Sequence, residues 1–274
     1  MADVVLTTVP ESIHFYVHSH LLLKRSSNAF ASLITPRSAD TSAPMSASGS
    51  GAGGGSPRIF IHLHEKAEVL NLLLHAVYNL NPARYVPSLE ALSYLPGALL
   101  NYGLSLDDHL SPDSEFTRLY LNHAREQPVD VYALAAAYGL EYIAQKASRP
   151  SLTTPLTSVT DEQVTMMGSV YLRRLVHLHH NRLEALKNIL LTLPAWHARS
   201  NPVACNDTEA NVLRAWALVT AYLAWEARPD MSTVELAQVL APLLDSVSCS
   251  VCKNNLQERI SSVLYSWSQV RDTI

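Results

Sequence analysis

The stretch DVVLTTVPESIHFYVHSHLLLKRSSNAFASLI, residues 3–34, decides how the rest of the chain is read. Val4, Val5 and Leu6 open a strand, and in a second strand Ile13, Phe15 and Val17 alternate with His14, Tyr16 and His18. Alternation with period two sends the first set to one face of a sheet and the second set to the other. Val9-Pro10-Glu11-Ser12 lies between the runs and supplies turn-forming residues, so the spacing predicts a β-hairpin. Leu21, Leu22, Leu23, Phe30, Leu33 and Ile34 then predict an amphipathic helix that ends before Pro36.

Beyond this stretch the composition changes abruptly. Five of the nine glycines fall between Gly49 and Gly55, and the tract from Thr35 to Pro57 holds almost nothing large and apolar beyond Met45. Such a segment gains too little from burial to offset the entropy of ordering it, which predicts a mobile insertion over 35–57. Gly49-Ser50-Gly51-Ala52-Gly53-Gly54 spells GxGxxG, but a phosphate-binding loop needs a strand before it and a helix after it. A strand follows instead, with Ile59, Ile61 and Leu63 alternating.

From Glu65 onward the periodicity is helical. Val69, Leu72, Leu73, Ala76, Val77 and Leu80 form one face; Leu89, Leu92, Leu95, Leu99 and Leu100 form another, which Pro96 is expected to kink or divide. Two short helices, 131–138 and 140–146, are expected to meet at Gly139. Further helices are predicted over 161–193, 208–227, 233–247 and 256–270. The expected fold class is therefore α+β, with a module over residues 1–105 and an all-α extension over 106–274.

The balance of charge narrows the function. The 274 residues carry 24 acidic and 20 basic side chains, a net charge of −4, with 48% hydrophobic and 16% charged residues. That composition excludes global disorder. It also lacks the basic excess of a dedicated nucleic-acid binder. The N-terminal residues do not read as a secretory signal, and the most apolar later run, Ala215 to Trp225, is too short to span a bilayer, so no membrane association is expected. Three cysteines, an odd number, suggest thiols in a reducing compartment.

No GxSxG elbow, P-loop or HExxH motif is present. His177 and His180 fall one helical turn apart, where they could share a metal, but Arg173, Arg174 and Arg182 nearby oppose a cation. A solvated flank is the preferred reading. Cys249-Ser250-Val251-Cys252 is a CxxC that Cys205 and His197 could complete as a structural zinc site. Ordinary thiols are the preferred reading there too, with no cofactor expected. The tryptophans Trp196, Trp216, Trp225 and Trp267 sit in apolar helical patterns and are expected in the core.

Asp3-Val4-Val5-Leu6, Phe15-x-x-His18, Leu22-Leu23 and Ser27-x-x-Phe30 together resemble the opening of BTB/POZ domains. The strand from Ile59 to Leu63 and the helix from Val69 to Tyr78 look like that family's next elements. Pro128 to Glu141 is similar to the region after the BTB core in uncharacterised fungal BTB proteins. The resemblance implies an intracellular, cytoplasmic or nuclear, non-enzymatic interaction module that homodimerises, recruits a partner, or does both. A cullin-based ubiquitin ligase, served by a substrate adaptor, is one partner class it implies. It places Asp3 beside a homodimer groove and Phe15, Leu22 and Phe30 in the sheet–helix core, with His18 bridging strand and helix. Family members commonly carry a basic residue directly after the histidine; here Ser19 stands there, followed by His20. The alternatives are a helical metal-binding or enzymatic domain fused to a BTB core, using His177, His180 and the cysteines, and a dimeric transcription regulator.

Overall fold

The computed structural model describes residues 2–34, 59–195 and 209–274. The predicted insertion over 35–57 therefore lies outside the described residues. The chain is mostly helical with one small sheet, an α+β composition, and it divides into two compact units, Met1–Glu126 and Gln127–Ile274.

The first unit holds the sheet. Strands β1 (Val4–Thr8), β2 (His14–Val17) and β3 (Ile59–Leu63) lie in the order β2-β1-β3, with β1 antiparallel to β2 and parallel to β3. β1 is central, and all five of its residues are buried. Helix α1 (Ser19–Arg25) follows β2, and α2 (Ala67–Tyr78) and α3 (Leu89–Asn101) pack side by side after β3. Leu6, Leu22, Leu70, Leu73, Leu92 and Leu95 are fully enclosed between these elements. Each such side chain contributes about 1.5–3 kcal/mol on burial. Pro96 neither ends nor divides α3, which runs continuously past it. The short α4 (Leu106–His109) and α5 (Glu115–His123) complete the unit. The buried hydroxyl of Tyr120 on α5 donates to the Leu92 carbonyl on α3 at 2.7 Å. The compact unit runs to Glu126.

The helix expected over 21–34 stops at Arg25. Ala29, Phe30, Ala31 and Ser32 take φ values of 55, 56, 57 and 61°, a left-handed turn that costs roughly 1–2 kcal/mol per residue. Side chains explain it. Ser26 Oγ accepts the Phe30 N–H at 2.7 Å, and Asn28 Oδ1 accepts the Ala31 N–H at 2.8 Å, so both compete with helical backbone bonds. The turn delivers Phe30 into the core, stacked 4.5 Å from the Tyr102 ring.

The second unit is wholly helical among its described residues. Helices α6 (Pro128–Ala137) and α7 (Glu141–Ser148) meet at Gly139, whose φ is 66°. Pro128 occupies the first turn of α6, where its missing N–H removes nothing. Val131, Tyr132, Ala133, Leu134 and Ala135 are all buried, so α6 is enclosed on every side. The long α8 (Asp161–Leu191) starts with a Thr160/Gln163 capping box and is broken at Gly168, with φ 67° and ψ 170°. Only glycine adopts that conformation readily. Helices α9 (Glu209–Trp225), α10 (Thr233–Leu240) and α11 (Ser250–Ser268) complete the unit around Leu186, Trp216, Leu236, Leu256 and Val263. Trp216 and Trp267 are buried as expected, but Trp225 is 87% exposed at the end of α9, and Trp196 lies outside the described residues. No helix among the described residues is long and apolar enough to cross a membrane.

Two arginines tie this unit together. Arg182 on α8 is buried, and it donates through Nε to the Pro229 carbonyl at 2.5 Å and through Nη1 to the Val270 and Arg271 carbonyls at 3.0 and 3.1 Å. Its guanidinium sits 4.3 Å from the Trp267 ring centre, and the Trp267 indole N–H donates to the Met231 carbonyl at 2.7 Å. Burial pulls the Arg182 pKa below its ordinary value, while Asp272 and Asp230 act in the opposite sense. Arg259 on α11 donates to the Thr192 carbonyl at 2.9 Å and to the Ile189 carbonyl, satisfying acceptors at the C-terminus of α8.

Candidate functional site

Asp3 is where β1 begins, and its backbone already joins both neighbours. Its N–H donates to the Val17 carbonyl at 3.2 Å and its carbonyl accepts the Ile59 N–H at 3.0 Å. The carboxylate reaches the start of α1 instead of a cation. Oδ1 accepts the Ser19 N–H at 2.9 Å and Oδ2 accepts the Ser19 hydroxyl at 2.5 Å. An anion placed there satisfies an orphan N–H and favours the positive end of the helix. The Ser19 hydroxyl and then the Ser19 N–H hold the Asp3 carboxyl below the usual carboxylate range.

His18, the N-cap of α1, binds the adjoining helix. Its backbone N–H donates to the Tyr78 hydroxyl at 2.9 Å, and that hydroxyl lies 3.0 Å from Nδ1. One phenol therefore fixes the end of β2 against α2. The expected strand–helix role of His18 matches these contacts. Leu22 and Phe30 are enclosed core residues. Phe15 lies on the inward face opposite Leu6 but is only half-buried, because β2 is an edge strand with Ile13 beside it 44% exposed.

The opposite face of the sheet was not singled out by sequence reasoning. In register, Tyr16, Val5 and Phe60 form one row across β2, β1 and β3, and His14, Thr7 and His62 form the next. Tyr16 is 59% and Phe60 is 66% exposed, while Val5 between them is buried. Thr7 Oγ1 and His14 Nδ1 are 2.9 Å apart, which stiffens the second row. The signal was present in the sequence: Phe60 interrupts an otherwise apolar-polar strand with an aromatic at an outward position.

The metal hypotheses fare differently by residue. His177 and His180 are both exposed and face separate clefts, His177 among arginines and His180 beside the buried His179. Burial pushes the His179 pKa down. Cys249 is the N-cap of α11 and Cys252 lies buried in its first turn, against the apolar core of the second unit. Cys205 and His197, the other two proposed zinc ligands, lie outside the described residues. Among the described residues no group of three or more His, Cys, Asp or Glu side chains is arranged to hold a metal ion.

No family model, no curated protein and no solved structure matches this chain.

Proposed function

We propose that this chain is a non-enzymatic interaction protein, cytoplasmic or nuclear, that self-associates or recruits a partner through its N-terminal unit. The resemblance to BTB/POZ openings supports that reading, and a cullin-type scaffold is the partner class it implies. The observation that carries it is the Tyr16–Val5–Phe60 row. Two large aromatic side chains stand out from a sheet whose other face is closed by helices. Exposed aromatics at the centre of a rigid patch are the side chains that dominate binding energy when a partner covers them. The Asp3–Ser19 and His18–Tyr78 contacts hold the strand ends that frame this patch, so they act as supports rather than as contacts with a partner.

The test is light scattering on a sizing column, with the chain alone and with a cullin N-terminal region added. A species near twice 30.2 kDa, a co-eluting complex, or both is expected. The double variant Tyr16→Ser/Phe60→Ser should abolish that species while leaving the melting temperature within a few degrees. A monomer that binds no cullin, or association untouched by the double variant, overturns the assignment to this patch.

A further inference from the structure

We infer that the cleft between the middle of α8 and the segment that follows α11 binds a small oxyanion, phosphate or carboxylate, joined to an apolar group. The cleft has a volume of about 410 Å³, within the range of small-molecule sites. Its α8 wall carries Arg173, His177 and Asn181 at i, i+4 and i+8, one continuous stripe of nitrogen donors along the helix. Arg271 and Thr273 face it from the other wall. No aspartate or glutamate lines the cleft. The same cations that oppose a metal at His177 therefore attract an anion.

Not every arginine there is available. Arg174 is held by Glu141 in a two-pronged pair, Nη1 to Oε2 at 2.8 Å and Nη2 to Oε1 at 2.5 Å. Arg173 and Arg271 form no ion pair among the described residues. Arg173 on α8 and Arg271 on the segment after α11 each offer a guanidinium fork of the kind that recognises a phosphate or carboxylate head. Leu178, Val270 and Ile274 supply apolar surface in the same cleft, which suits a hydrocarbon or aryl group behind the head.

The far wall is built before any ligand arrives. Arg182 grips the Val270 and Arg271 carbonyls from behind, and the Ile274 N–H donates to Ser148 Oγ at 3.1 Å. A wall already fixed in place loses little freedom on binding. This site lies wholly in the second unit and does not depend on the reading of the first.

Isothermal titration of the full chain at low ionic strength with phenyl phosphate, benzoate and inorganic phosphate tests the inference. At least one of the two organic anions should bind with a dissociation constant below about 1 mM and at least about threefold more tightly than inorganic phosphate, and the tighter of the two identifies the head group. Arg173→Gln/Arg271→Gln should weaken that binding at least about tenfold with an unchanged melting temperature, because both side chains are exposed. Asn181→Asp, which puts a negative charge into the same stripe without touching the far wall, should produce an independent loss. Binding of neither organic anion, equal binding by the double variant, or inorganic phosphate binding as tightly as both organic anions overturns it.

Discussion

One junction in each unit meets the same problem, unpaired backbone groups at helix ends, and the two are solved with opposite kinds of charge. The first unit uses an anion: Asp3 accepts the first N–H of α1, and the His18–Tyr78 contact finishes the junction. The second unit uses cations: Arg182 and Arg259 donate to carbonyls where chain segments end or turn. The difference follows from architecture. In the first unit the start of α1 abuts the beginning of β1, so the groups that need a partner at this junction are N–H donors. An all-helical unit leaves the last carbonyls of every helix without partners, and a guanidinium with five donors can serve several at once. The second solution has more to lose from a single substitution.

Substitution of Arg182 should show this most strongly. Arg182→Ala leaves three carbonyls without their donor and removes the cation from the Trp267 ring, so a loss of about 3–5 kcal/mol is expected from urea unfolding of the second unit. The corresponding test in the first unit is Phe30→Ala. It empties a fully buried site and removes what the left-handed turn delivers, for an expected loss of about 3 kcal/mol in the same measurement. If Phe30→Ala proves far costlier than Arg182→Ala, the contrast between the units is wrong.

Smaller effects sharpen the comparison. Gly168→Ala places a Cβ in open space but forces an unfavourable backbone, so thermal unfolding should report a loss of about 1–3 kcal/mol that is due to conformation and not to a clash. Ser19→Ala should cost about 0.5–1.5 kcal/mol near neutral pH. It should also change the acid limb of stability. The folded-state pKa of Asp3 lies below its unfolded value, so its contribution is complete above about pH 4 and fades as the pH falls through the lowered value. Urea midpoints of the first unit, followed from neutral pH downward, should fall less steeply in Ser19→Ala than in the parent chain.

Much of this fold was legible in the residues. Alternation marked β2 and, through Ile59, Ile61 and Leu63, the inward face of β3, and the leucine spacing of α2 and α3 marked their buried faces. The errors have identifiable physics. The helix over 21–34 was overextended because leucine spacing says nothing of Ser26 and Asn28, whose side chains replace helical bonds. Trp225 was assigned to the core on hydrophobicity alone, although α9 ends there and turns it outward. The start of α11 was placed too late because Ser250, Lys253 and Asn254 carry no apolar period, although Cys252 is buried among them. The arginine ties were out of reach, since a carbonyl acceptor leaves no mark in sequence. At the candidate sites, His18 and Asp3 were named through the resemblance to BTB/POZ openings, whereas the outward row and the α8 cleft needed strand register and tertiary contacts.

The contact between Arg182 and the Val270 carbonyl joins residues 88 positions apart in sequence. It therefore sets an order of events during synthesis on the ribosome. The first unit, Met1–Glu126, is complete in sequence before α8 is made. The second unit waits: α8 carries an arginine whose acceptors lie 47, 88 and 89 positions further along the chain, so the set is complete only when the last of them has been made. Until then the apolar face that Leu186 and Leu190 present on α8 lacks part of the core that later covers it.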